Sequence, residues 1–167
     1  MDSTELRLQQ QPLKSLYKDD PTAALVTLRA DGVVGGEGIT CSVQTGRAMV
    51  EAGLHPATGG DGLSLCSGDM LLQALVACSG VTLQAVATAL DISIVGGSIT
   101  AEGDLDFRGT LGVDKEAPVG FRGIRLNFDL DTTATEEQLA SLLKLTERYC
   151  VVYQTLASPP QLSVSVS

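Results

Sequence analysis

Residues 67–90 read SGDMLLQALVACSGVTLQAVATAL, and this stretch decides the fold. It holds no proline, and its apolar residues lie on nearly every side of a helix. A helix that is apolar all round is buried in a core or a membrane. Ser67 suits the N-cap, and Asp69 is an acid in the first turn, where the helix dipole favours negative charge. We therefore predict a central buried helix that carries Cys78.

Segments on both sides of this helix alternate apolar and polar residues, which predicts half-buried strands. The clearest alternation covers residues 124–131. Asp31-Gly32 is a hairpin-turn signal between N-terminal strands, and Gly96-Gly97 predicts a turn or bulge. The predicted elements are an N-terminal arm or short helix (1–22), N-terminal strands (23–52), the central helix (67–90), strands (92–131), a second helix (136–150) and a final strand (161–167). This order predicts a single α+β domain with mainly antiparallel sheet.

The second predicted helix ends at Cys150, on its apolar face. Thr133 and Glu136 fit a capping box at its start. If the two helices pack together, the thiols of Cys78 and Cys150 can meet, and a disulfide would require Cα atoms within about 7 Å. A free cysteine on an apolar face is also commonly a small core residue. Pattern and spacing by themselves therefore leave the function undecided.

Composition excludes several classes of protein. The formal net charge of −9 disfavours contact with a phosphate backbone, so we expect no nucleic-acid partner. The longest apolar run, residues 70–78, is too short to span a bilayer, and the N-terminus has no signal-peptide core, so we expect a cytoplasmic protein away from membranes. Four cysteines and one histidine show no metal-ligand spacing, so we expect neither metal nor cofactor.

Three further side chains have more than one interpretation. Cys41, on a predicted strand, is interpreted as a core residue. Cys66, just before the central helix, is either an extra thiol near the site or a small residue packed under the loop. His55 is interpreted as a loop residue before Pro56, with pocket lining or acid–base work as the alternative.

The central stretch resembles the helix signature of the OsmC/Ohr superfamily, in which a helix start with an acid is followed by LLxALxAC. Residues 145–152, LTERYCVV, resemble the second-cysteine motif of that family. GDLDFRGTLGV (103–113) and PVGFRGIRLNF (118–128) resemble its strand pair. The resemblance covers most of the chain from about Gly53 onward.

This resemblance implies an intertwined homodimer, with two buried central helices wrapped by mainly antiparallel sheets and active sites at the dimer interface. It implies that Cys78 attacks an organic hydroperoxide and that Cys150 resolves the sulfenic acid as a disulfide. A lipoyl-type or similar dithiol would be the reductant. An Arg activates the first cysteine in this family, and Arg29 matches it best, with Arg47 as the alternative.

The chain departs from the family pattern at three residues. Ser67 and Gly68 stand where the peroxide-reducing branches carry Pro-Glu, and Val151 stands where Pro is common. Asp69 cannot contact Cys78 directly, because roughly 13.5 Å of straight helix separates them. It could still hold an Arg that bridges to the thiol, as the Glu does in the resembled family. Two alternatives to a peroxidase stay open. They are a non-enzymatic module that binds a small apolar ligand and a redox sensor that uses the same cysteines.

Overall fold

The computed structural model describes residues 3–34, 41–43, 52–63 and 65–166. The chain forms two compact units. The first comprises Met1–Asp31, Gln44–Gln73 and Thr100–Asn127, and the second comprises Gly32–Val43, Ala74–Ile99 and Phe128–Ser167. The long helix and the long strands belong partly to each unit, so each unit contains both helix and sheet. The described chain is therefore α+β, as the order of patterns predicted.

Helices and strands alternate along the described chain. The helices are α1 (Ser3–Asp19), α2 (Ser67–Ala89), α3 (Phe107–Thr110), α4 (Glu136–Tyr149) and α5 (Val151–Ala157), with 3-10 turns at Pro21–Ala24 and Pro56–Thr58. The strands are β1 (Leu25–Val34), β2 (Cys41–Val43), β3 (Ala52–Gly53), β4 (Leu65–Cys66), β5 (Ile94–Asp106) and β6 (Gly123–Thr132). One sheet has the order β2-β1-β5-β6, and β3 pairs with β4 in parallel.

Helix α2 confirms the predicted central helix almost to the residue. Its buried side includes Leu72, Leu75, Val76 and Leu83. Other apolar side chains of α2, Val81 among them, are exposed in the single chain. By length and composition α2 could also cross a membrane, a test that the core helix of a soluble protein passes equally.

The predicted hairpin turn at Asp31-Gly32 is wrong. Strand β1 continues through both residues, and Gly32 pairs with Val43 of the antiparallel strand β2. The Asp31 carboxylate accepts hydrogen bonds from Arg29 and Thr100 instead of closing a turn. Thr100 on β5 and Val43 on β2 are partners on neighbouring strands, and such partners favour extended backbone. The dipeptide signal does not include them. Residues 35–40 and 44–51 of the predicted N-terminal strands lie outside the described residues.

The capping box of α4 lies two residues later than predicted. The Thr135 hydroxyl accepts the Gln138 N–H at 3.3 Å, and the Gln138 side chain accepts the Thr135 N–H at 2.9 Å. Strand β6 reaches Thr132, so Thr133 is still leaving the sheet and is too early to begin a helix. The helix itself was predicted correctly.

The predicted final strand is not formed in the single chain. Residues 159–166 carry neither helix nor strand, and Leu162, Val164 and Val166 are 88, 96 and 98% exposed. A strand exists through hydrogen bonds to a neighbouring strand. The alternation of apolar residues with serine predicts extended backbone, but it does not show whether a neighbouring strand is present.

Gly96 and Gly97 lie inside β5 instead of ending it. Gly97 has φ +152°, and a Cβ there would collide with the backbone oxygen of Asp129 in β6. Gly96 has open space where its Cβ would stand. Close approach of the two strands therefore requires glycine at only one of these positions.

We expect Gly97→Ala to destabilise the protein by about 1–3 kcal/mol, because it combines an unfavourable φ with a backbone clash. Gly96→Ala is the matched control and should stay within about 0.5 kcal/mol of the parent chain. Urea unfolding at fixed protein concentration measures both changes. Equal effects of the two substitutions would show that the close approach at Gly97 is unimportant.

Candidate active site

Cys150 forms the junction between α4 and α5. Its φ of −72° and ψ of 109° are extended, so the helix stops there and a new one starts at the next residue. Its N–H donates to Thr146 O at 2.9 Å, while its Sγ accepts the Tyr153 N–H at 3.5 Å. The side chain is fully buried. One cysteine thus ends one helix and caps the next.

This junction brings Cys150 and Cys78 together. The two thiols are hydrogen-bonded, and the Cys78 thiol also receives hydrogen bonds from the N–H groups of Val151 and Val152 and from the Thr82 side chain. Thr82 lies one turn after Cys78 on α2, so its hydroxyl shares the helix face of the thiol. Both cysteines are free thiols in this structure.

The surroundings shift the two thiols in opposite directions. Burial raises the pKa of Cys78, but the hydrogen bonds from Val152, Cys150, Val151 and Thr82 outweigh it, so the net pKa lies below the ordinary thiol value. Burial, together with the neighbouring sulfur of Cys78, raises the pKa of Cys150 to about 11. The two directions make Cys78 the more acidic thiol of the pair.

Val151 contributes through its main chain. Where the resembled family commonly has proline, this chain has a residue with an N–H, and that N–H donates to Cys78. A proline would be tolerated here, since the first residue of a helix needs no N–H for the helix itself. The departure from the family pattern therefore adds a donor to the candidate nucleophile.

The predicted activating side chains lie in the first unit or outside the described residues. Arg29 is exposed and forms ion pairs with Asp31 at 2.8 Å and Glu102 at 3.3 Å. Burial raises the pKa of the Asp69 carboxyl. Arg47 lies outside the described residues. The roles of these three side chains stay predictions.

Sequence reasoning missed three groups around Cys78. The Thr82 hydroxyl could have been found, because a residue four positions along a helix faces the same way. The amides of Val151 and Val152 could not, because no side-chain pattern reveals where a backbone N–H points. Cys41 lies on β2, and its burial is outside what the structure describes.

Among the described residues, no group of three or more His, Cys, Asp and Glu side chains is arranged to hold a metal ion. The Cys78–Cys150 pair itself offers two neighbouring thiols whose pKa values are shifted in opposite directions. An ionised thiol is the nucleophile in thiol chemistry, and a protonated neighbour can condense with its oxidation product.

Comparisons with known proteins bear on the family and the fold of this chain. The family model described as OsmC-like protein matches residues 59–165. The structure of an OsmC-like hydroperoxide resistance protein from Jannaschia sp. CCS1 is similar with a TM-score of 0.57 at 15% identity, covering 83% of this chain and 91% of that one. That of an OsmC-like protein from Mycoplasma pneumoniae gives 0.56 at 17% identity, covering 77% and 86%. No curated protein matches the sequence. At these identities the structural likeness bears on the fold.

We predict that Val151→Pro shifts the pH midpoint of Cys78 alkylation upward, because the substitution deletes one N–H donor to the thiolate. Val151→Ala keeps the N–H and should leave the midpoint unchanged, and the exposed position lets both variants fold. Mass spectrometry after brief iodoacetamide pulses across a pH series measures each cysteine separately.

In the parent protein the same series should label Cys78 at lower pH than Cys150. Labelling of Cys150 first would contradict the assignment of Cys78 as the more acidic thiol. If Cys78 alkylation had the same pH midpoint in Val151→Pro and Val151→Ala, the Val151 N–H would not contribute to the low pKa of Cys78.

Proposed function

This chain belongs to the OsmC-like protein family, and from that premise we propose that it reduces organic hydroperoxides with the thiols of Cys78 and Cys150. The observation that carries the proposal is the hydrogen-bonded pair in which Cys78 is the more acidic thiol and Cys150 the less acidic one. A similar protein described as a hydroperoxide resistance protein supports the same class of substrate.

The proposed reaction has two covalent steps. The Cys78 thiolate attacks the terminal oxygen of the hydroperoxide, an S–O bond forms, the O–O bond breaks, and the alkoxide leaves and takes a proton to become the alcohol. The Cys150 sulfur then attacks the sulfenic acid, and its proton leaves with the hydroxyl as water. A dithiol of the lipoyl type would reduce the resulting disulfide by exchange.

Activation of Cys78 is proposed to rest mainly on uncharged donors. The amides of Val151 and Val152 and the Thr82 side chain already lower its pKa, which reduces the need for the Pro-Glu motif that this chain lacks. Arg29, held by Asp69, remains the proposed additional cation, with Arg47 as the alternative. A module that only binds a small ligand would need no acidic thiol. The lowered pKa of Cys78 is therefore an argument against that alternative.

We also propose that the working form is a cytoplasmic homodimer. Two features support the dimer, namely the apolar side chains that α2 leaves exposed and the alternating segment 161–166, which has no strand partner in the described chain. A second copy could cover α2 with its own helix and pair with the segment. A cytoplasmic setting would keep the thiols reduced between turnovers.

One equivalent of cumene hydroperoxide should convert the reduced protein to a Cys78–Cys150 disulfide, seen by peptide mass spectrometry. Cys150→Ser should stop at a Cys78 sulfenic acid that dimedone traps, because the resolving thiol is gone. Cys78→Ser should not react, and Cys66→Ser is the control that should behave like the parent. Two unmodified thiols after peroxide would contradict the proposed function.

Val81→Glu should weaken self-association, because it would bury an unpaired charge against a second helix. We expect the dissociation constant of the dimer to rise at least about tenfold, or 1.4 kcal/mol. Ala140→Glu adds the same charge at an exposed position of α4 and serves as the control. Sedimentation velocity measures both, and a monomeric parent protein would refute the proposed dimer.

A further inference from the structure

A cavity of about 400 Å³ lies in the first unit, beside the start of α2. Its walls are mainly apolar and include Leu71, Leu105, Phe107 and Phe121, and the polar side chains on it include His55 and Cys66. Pockets for small organic ligands have about this size, with a few placed polar groups in an apolar lining. The cavity therefore has the composition of a binding site for a small molecule.

His55 is held in one orientation at this cavity. Its Nδ1 accepts the Ala57 N–H at 3.0 Å, and its ring stacks on Phe107 with centroids 4.9 Å apart. Because Nδ1 is an acceptor here, the neutral ring carries its proton on Nε2. His55 thus presents an oriented hydrogen-bond donor.

The loop that carries His55 is braced from α1. The Tyr17 hydroxyl donates to Ala57 O at 2.7 Å, and the Gln10 side chain donates to Thr58 O at 3.2 Å. Gly60 lies so close to the main chain of Leu54 that a Cβ there would collide with it. Loops are ordinarily mobile and lose entropy when ordered, so this bracing pre-organises the His55 donor before any ligand arrives.

The charge near the cavity selects the kind of ligand. Asp69, an acid, lies one residue after the cavity-lining Gly68, and the whole chain has a formal charge of −9. An anionic ligand would meet repulsion from both. A neutral acceptor would meet none and could still take the donor of His55.

We propose that this cavity binds a small, neutral, mainly apolar molecule with a carbonyl oxygen, which accepts a hydrogen bond from His55 Nε2. The site is separate in its residues from the Cys78–Cys150 pair and needs no redox step. Cys66, on the wall, then serves as a natural reporter, since a bound molecule would shield its thiol from alkylation.

The chain has no tryptophan, so a single one can report on the cavity. Val119→Trp places an indole at the cavity wall, and Val95→Trp is the matched control away from it; the two valines are 65 and 73% exposed, so both variants should fold. Benzophenone should shift the emission of the first variant and leave the second unchanged. It should also slow Cys66 alkylation in the parent protein.

The carbonyl is tested by comparing benzophenone with diphenylmethane, which has the same shape without the oxygen. Benzophenone should bind about five-fold more tightly, the size of one net hydrogen bond. His55→Phe keeps a ring to stack on Phe107 but lacks the donor, and it should make the two affinities equal.

Two results would overturn the proposal. One is equal affinity of the parent protein for both probes, which would show that the donor takes no part. The other is an unchanged emission of the Val119→Trp variant together with a Cys66 thiol that is shielded without any probe, which would show that a second copy of the chain fills the cavity. Neither readout uses peroxide, so failure of the proposed peroxidase chemistry would leave this test intact.

Discussion

The break between α4 and α5 at Cys150 is the constraint on which the candidate site depends. Because the backbone turns extended at this one residue, the N–H groups of Val151 and Val152 are freed from α4 and directed to the Cys78 thiol. The same break places the Cys150 sulfur against that thiol. Had α4 continued without interruption, those amides would have bonded to carbonyls of the preceding turn.

The two thiols show how local hydrogen bonds can outweigh burial. Cys150 is fully buried and Cys78 is partly buried, and burial by itself disfavours the thiolate at each. The Cys78 sulfur accepts several hydrogen bonds, which lower its pKa. Cys150 accepts fewer hydrogen bonds and lies beside another sulfur, and its pKa is raised. The difference between them arises from geometry at the helix junction.

The first unit uses its charges differently. On the sheet, Arg125 ion-pairs with Asp104 and Glu102, and the hydrogen bonds from Arg125 and Thr27 hold the pKa of Asp104 well below its usual range. These pairs are exposed, so each adds little to stability. Arg29 belongs to the same network, which explains why a sequence motif alone does not identify its role. Any activating contact from Arg29 would have to compete with its carboxylate partners.

By itself, the sequence determined the elements that local pattern controls. The apolar run of α2, the alternation of β6 and the amphipathic face of α4 each follow from a repeat that matches one type of backbone, so the α+β class and the positions of Cys78 and Cys150 on their helices were predictable. The Thr82 hydroxyl could have been predicted by the same reasoning.

Only the tertiary structure decided the rest. It carried β1 through Asp31-Gly32, left residues 161–166 without a strand partner, and directed the amides of Val151 and Val152 to Cys78. Each of these features depends on a partner distant in sequence or on a backbone group. The pattern of side chains along the chain does not reveal such partners or groups.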